Sequence, residues 1–326
     1  MPWHETVAEL DRARAEVAVK LPSPGGELFG IYTPPDPTVP AAGMCVVHLT
    51  RPRSHRNRNW VEAARRLASR GFAAFRFDYH GTGDSGGVSA FLDPREPYHD
   101  DVTAAIRFVR TRFGATRFVL TGSCFDARTA LSAFRDESDA IDGLAFIAAP
   151  VMSIEHMREL HDAGKDWRHV LRALHNRDNW RALRDPERWR EMAQVVARVT
   201  RSARDPEPAA ESAAPAGPAL DPGFRRDFDA LVGSPARALF LYGEEDPEFR
   251  TFQPVLRDLW PALPAETRAR FTVEVWSGEV HGGFLEMTRQ RLILGRVLDW
   301  VLALHPDPSG HPDEIHRPAE GSWTSV

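Results

Sequence analysis

From about residue 43 onward the chain repeats one rhythm: a short apolar run, a Gly- or Asp-rich turn, and then a helical pattern. "GMCVVHLT" precedes the helical stretch "NWVEAARRLASR", and "GFAAFRFDYHGTGDSGG" precedes "DDVTAAIRFVRTRFG", whose Val102, Ile106, Val109 and Phe113 share one face. "RFVLTGSC" leads into a helix with Ala127, Ala130, Leu131 and Phe134 as its apolar stripe. "IDGLAFIAAPV", "ARALFLYGEED" and "RFTVEVWSGEVHGG" supply three more strands, the last followed by "RLILGRVLDWVLAL". Continuous apolar runs alternating with helices predict a mostly parallel sheet covered by helices on both faces, an α/β fold. Ahead of them, "EVAVKLPS" and "ELFGIYTP", joined through Pro24-Gly25-Gly26, read as a hairpin.

One segment breaks the rhythm. Residues 152–235 are rich in Arg and Trp, with helical spacing and no strand pattern, and they contain the Pro- and Ala-dense run "ARDPEPAAESAAPAGPALDP". The expected division is an α/β core in two parts, 1–151 and 236–304, with a helical cap inserted at 152–235. A disordered tail at 305–326 is expected to follow, its His305, His311 and His316 incidental rather than metal ligands. At 326 residues the chain is long enough for one large α/β domain. A net charge of -5 gives no sign of a nucleic-acid partner, and no apolar run is long enough to cross a bilayer. "MPWHETVAELDRARAEVAVK" lacks the apolar centre of a signal peptide, so a soluble cytoplasmic protein without a membrane partner is expected. The two cysteines, Cys45 and Cys124, exclude a disulfide framework or an all-cysteine metal site.

In a parallel α/β sheet, loops and helix N-termini converge at the carboxyl ends of the strands, and active sites lie there. Three such ends carry reactive residues: Cys124 after "FVLTGS", Asp246 after "LFLYGEE", and His281 after "VEVWSGEV". Nucleophile, acid, histidine is the chain order of a hydrolase triad on such a sheet. Ser123 is a weaker nucleophile candidate, because shifting the frame destroys the Gly-x-nucleophile match. Glu244 and Glu245 compete with Asp246 for the acid's role. Cys45, in mid-strand, reads as a small buried hydrophobe.

On these residues the sequence resembles the α/β-hydrolase superfamily over roughly residues 16–303. Gly122-Ser123-Cys124-Phe125-Asp126 resembles the nucleophile elbow G-x-S-x-G, with cysteine at its centre and aspartate in place of the second glycine. Asp78 to Ser85 resembles that family's D-x-x-G-x-G-x-S turn, Gly243 to Asp246 its G-x-x-D acid loop, and Gly278 to Gly282 its histidine loop. The resemblance implies the α/β-hydrolase fold and a triad of Cys124, His281 and Asp246. A helix starting after Cys124 favours thiolate, while His281 moves the proton and Asp246 steadies the imidazole.

Two departures stand out. His48-Leu49-Thr50-Arg51 replaces the usual His-Gly, leaving the amides of Thr50 and Phe125 as candidate oxyanion-hole donors. Asp126 reads either as a helix-start carboxylate taking up free amides or as a carboxylate acting on the thiol. The loop "RPRSHRNRN", with Arg51, Arg53, Arg56 and Arg58, is either a solvated surface or a receptor for an anionic substrate. His48, Arg51, Asp126, Trp167 and Trp180 are the candidate substrate-binding residues, with Trp189 mainly a packing group.

The favoured expectation is an enzyme with no cofactor and no metal. It acts on an ester, lactone or thioester of a small-molecule or polyketide-type substrate, by hydrolysis or acyl transfer. A cysteine elbow also resembles those of dienelactone hydrolases, polyhydroxyalkanoate synthases and hydrolase-like tailoring enzymes of bacterial secondary metabolism. The alternatives are a lyase eliminating a carboxylate such as acetate from a tetronate-type intermediate, and a non-catalytic binding protein. The oligomeric state stays open.

Overall fold

A computed structural model describes residues 16–87, 98–152, 220–281 and 286–305, together with the short strand at 324–325. The chain divides into two units, one formed by Met1–Val151 with Leu220–Val326 and the other by Met152–Ala219. Of the second unit only Met152 is among the described residues, so residues 153–219 of the expected cap, with Trp167, Trp180 and Trp189, lie outside them. The helix Pro222–Val232 falls within the first unit, although 152–235 was assigned to the insertion.

The first unit is built on one sheet. Strands β1 (Val17–Ser23) and β2 (Gly26–Thr33) form the expected hairpin, and β2 pairs antiparallel with β4 (Ala73–Phe77). From there β3 (Met44–Leu49), β5 (Arg117–Ser123), β6 (Ile141–Ile147), β7 (Arg237–Gly243) and β8 (Phe271–Trp276) continue in parallel. Among the described residues the order is β1-β2-β4-β3-β5-β6-β7-β8-β9. The last strand, β9 (Thr324–Ser325), pairs antiparallel with β8, within a tail expected to be without structure. The other described helices are α1 (Asn59–Ala68), α2 (His99–Phe113), α3 (Phe125–Glu137), α4 (Pro222–Val232), α5 (Pro247–Pro254), α6 (Ala265–Arg270) and α7 (Met287–Leu304).

The period of two along each strand divides the core between the sheet's faces. Met44, Val46, Val119, Ala145, Ile147, Leu239 and Leu241 pack with Trp60, Ala63 and Leu67 of α1 and with Ile293, Val297 and Val301 of α7. On the opposite face Phe240 stacks on Phe146 at 4.8 Å and on Phe252 of α5 at 5.3 Å, with Phe228 of α4 at 6.3 Å. Both faces are covered, and this is why the central strands read as unbroken apolar runs rather than alternating ones.

The turn after β4, which matched a hydrolase motif, is structural. Asp78 is fully buried; its Oδ1 accepts from the Arg53 amide at 2.8 Å, its Oδ2 from the Asp84 amide at 3.1 Å, and its carboxylate pairs with the Arg53 guanidinium. Ser85 Oγ donates to the Asp78 carbonyl at 2.6 Å and accepts from the Phe29 amide at 2.8 Å. A Cβ on Gly83 would sit 2.2 Å from Asp78 Oδ2, so glycine is required there. Arg53, offered by the sequence as a receptor for anions, is committed to Asp78 and Asp84.

Candidate active site

The elbow is a sharp strand-to-helix reversal. Cys124 stands between β5 and α3 with φ 54° and ψ -123°, a region that L residues avoid and that costs about 1–3 kcal/mol unless its surroundings impose it. Two features impose it. The Cys124 amide donates to the Ile147 carbonyl at 2.8 Å, anchoring the bend to β6. A Cβ on Gly122 would lie 2.7 Å from the Asp126 carbonyl carbon, so α3 folds back directly over that glycine. The bend leaves Cys124 partly exposed, whereas Cys45 is completely enclosed in β3 and burial pushes its thiol far above the usual range. Phe125 opens α3, and the first amides of a helix have no partner within it.

His281 follows β8 and reaches the elbow. The Cys124 sulfur, an imidazole nitrogen of His281 and a carboxylate oxygen of Glu248 all lie within 4.8 Å of one another. Hydrogen bonding with Cys124, and then with Glu248, pushes the His281 pKa up to about 11, against a burial effect in the other direction.

The carboxylate on the ring is not the expected one. Glu248 Oε1 lies 2.8 Å from His281 Nδ1. Asp246 instead holds backbone: its Oδ2 accepts from the Gly243 amide at 2.6 Å, and its Oδ1 accepts from the amides of Val280 at 3.0 Å and His281 at 2.9 Å. Asp246 stands just before α5 without bonding that helix's amides and Glu248 sits in its first turn, so the two carboxylates diverge, one into the loop and one onto the ring. Both are buried, and burial raises the Asp246 pKa while the bonded amides oppose it. Glu244 and Glu245, the weighed alternatives, are exposed. Glu248 was missed by the sequence reading; its one signal is an acidic residue in the first turn after Pro247.

The remaining candidates separate. His48, expected to bind substrate, does not reach the site: it is fully buried in β3, its Nδ1 is 2.8 Å from Thr121 Oγ1, and its ring stacks on Trp60 at 4.7 Å. Burial, with Arg76 adding to it, drives its pKa down to about 3, so it is a neutral core residue. Thr50 is buried directly after β3, beside the end of β5, where Leu49 pairs with Gly122. The Asp126 carboxylate does not serve the helix start. Its oxygen faces Arg51 Nε at 3.3 Å, with the buried Tyr79 hydroxyl as its other neighbour, and burial lifts its pKa to about 6 despite both. The Arg51 guanidinium also lies 5.6 Å from the centre of the Tyr98 ring.

A sulfur, an imidazole and a carboxylate are also metal-ligand chemistry, and among the described residues Cys124, Glu248 and His281 are the group whose donors converge closely enough. The succession of sulfur, ring and carboxylate equally suits a nucleophile, a proton carrier and an orienting group.

A family profile described as serine aminopeptidase, S33, matches residues 44–206, half of the chain. No curated protein sequence matches the chain. Among solved structures it is similar to an esterase from Pyrococcus furiosus, with TM-score 0.54 and 13% identity over 93% of this chain and 96% of that one. It is similar to a proline iminopeptidase from Mycobacterium smegmatis, with TM-score 0.53 and 17% identity over 89% and 99%. It also resembles an α/β serine hydrolase without a lid from Xanthomonas campestris, with TM-score 0.52 and 16% identity over 89% and 95%. At these identities the likeness is one of fold, the α/β-hydrolase fold.

Proposed function

The chain belongs to the serine aminopeptidase (S33) family of α/β hydrolases, and from that premise we propose that it is an acyl-transferring hydrolase in which Cys124 is the nucleophile. The observation that carries this reading is the convergence of the Cys124 sulfur, the His281 ring and the Glu248 carboxylate beside a strained elbow. Glu248, rather than Asp246, holds the ring in the proposed triad, and Asp246 holds the loop that delivers it.

In the proposed reaction the Cys124 proton passes to His281, whose raised pKa favours accepting it. The sulfur attacks an ester or thioester carbonyl, the carbonyl π pair moves to oxygen, and the amides of Phe125 and Thr50 are the proposed donors to it. Collapse breaks the bond to the leaving group, which takes the imidazolium proton. Glu248 keeps the ring oriented throughout. The neutral imidazole then draws a proton from water, whose oxygen attacks the thioester and returns Cys124 to its starting form. The acyl group is proposed to be that of a small molecule. Arg53 of the basic loop is held by Asp78 and Asp84 and so lends no support to carboxylate elimination.

The experiment is mass spectrometry of the native protein after exposure to a chromogenic acetyl ester and, separately, to iodoacetamide. The expected result is one acetyl or one carbamidomethyl group on Cys124, none on Cys45, and labelling that slows at least tenfold in His281→Ala. Equal labelling of both thiols, or labelling indifferent to His281, sinks the reading.

A further inference from the structure

The Arg51–Asp126 pair is unaccounted for by the triad, and its place in the chain is informative. Arg51 directly follows Thr50, and Asp126 directly follows Phe125. Each member of the ion pair is thus bonded, through one peptide, to one of the two proposed oxyanion donors. The pairing of β3 with β5 ends at Leu49 and Gly122, so the ladder itself does not fix the spacing of the two loops beyond that point. The contact of Arg51 Nε with Asp126 at 3.3 Å is a cross-link just past the ladder's end. It is mostly shielded from water, with side-chain exposures of 22% and 10%, so bulk solvent screens it little. The centre of the Tyr98 ring lies 5.6 Å from the Arg51 guanidinium, and the buried Tyr79 hydroxyl neighbours Asp126.

We propose that Arg51 and Asp126 are positioning residues that clamp the two halves of the oxyanion hole at a working separation, in place of the His-Gly and second elbow glycine missing from this chain. The inference rests on the proposed function, since it needs Cys124 to attack a carbonyl. The clamp acts through the amides of Thr50 and Phe125 and touches no reacting atom.

Two reactions of the same thiol test it. Acylation by p-nitrophenyl acetate forms an S–C bond, places charge on the carbonyl oxygen, and releases nitrophenolate. Alkylation by iodoacetamide forms an S–C bond while C–I breaks, and no carbonyl oxygen takes up charge. At pH 8, Asp126→Asn is expected to slow acylation roughly ten- to hundredfold, the scale of weakening one oxyanion donor. Alkylation of Cys124 in that variant is expected to stay within about twofold of wild type, with KM for the ester unchanged and the loss in kcat. Arg51→Lys keeps the cation but loses the planar reach, and is expected to show the same split. The Asp126→Asn/Arg51→Lys double variant is expected to be no worse than either single change. Parallel loss of both reactions, or loss of neither, overturns the clamp while leaving the nucleophile in place. A wild-type protein that alkylates at Cys124 but never acylates there overturns the proposed function and the clamp together.

Discussion

At the scale of single residues, two acids two positions apart do different work. Asp246 binds three amides, two of them in the loop that carries His281, whereas Glu248 binds the ring. Asp246→Ala is therefore expected to cost about 3 kcal/mol or more, by leaving buried amides without an acceptor, and to lower the thermal midpoint. Glu248→Gln keeps an acceptor for the ring and is expected to stay within about 1 kcal/mol of wild type in the same melt. Its effect falls on the pH profile. A raised histidine pKa keeps the imidazolium populated until pH rises through that value, so activity that needs the cation is lost only on the alkaline side. Removing the Glu248 charge lowers that pKa, and the alkaline limb of ester acylation is expected to move toward neutral pH. An unchanged limb between pH 7 and 10.5 would show that Glu248 does not set the state of the ring. Cys124 and His281 were legible because glycines at fixed offsets mark their turns. The partner carboxylate was not, since spacing within one helical turn does not say which way each side chain leaves it. His48 was assigned to substrate on motif position alone, and the alternation of β3 turns it into the core beside Trp60.

At the scale of elements, what matters is how closely the loops above the sheet pass one another. A Cβ on Gly243 would lie 2.2 Å from the Gly278 carbonyl oxygen and 2.6 Å from the Val280 amide, so the acid loop and the histidine loop touch backbone to backbone. Gly243→Ala is expected to push them apart, costing about 2–4 kcal/mol in chemical denaturation and displacing His281 from Cys124. The displacement would appear as alkylation of Cys124 slowed toward the rate of His281→Ala. Wild-type stability and labelling in this variant would contradict the contact. These elements were readable as elements: the hairpin, the apolar runs and the elbow helix all lie where their patterns put them. The fate of Arg53 was not readable, because its partner Asp78 arrives from the neighbouring strand's turn and only folding brings them together. Assigning Pro222–Val232 to the insertion followed from helical spacing, which does not tell a covering helix from a core helix; Phe224 and Phe228, both buried, make it part of the core.

At the scale of the whole molecule, the site's loops are tied into both layers of the sheet, through Val280 beside His281 on one face and through Phe252, in the helix that carries Glu248, on the other. Phe240 is surrounded by Phe146, Phe228, Phe252 and Phe271, with Trp260 edge-on at 6.4 Å. Phe240→Ala is expected to cost about 3–5 kcal/mol in urea. A change of under 1 kcal/mol would mean that the aromatic cluster is not a structural centre. The order β4-β3-β5 contains one further consequence. Strands β3 and β5 are neighbours, yet the helix leaving β3 goes to one face of the sheet and the helix leaving β5 goes to the other. Chain parting in opposite directions opens a natural notch between them. Its rims are two short stretches, one just after Leu49 and one just after Ser123. Those rims carry Thr50 and Arg51 on one side and Cys124 and Asp126 on the other, so a substitution at the notch meets the site's own residues before it meets the sheet.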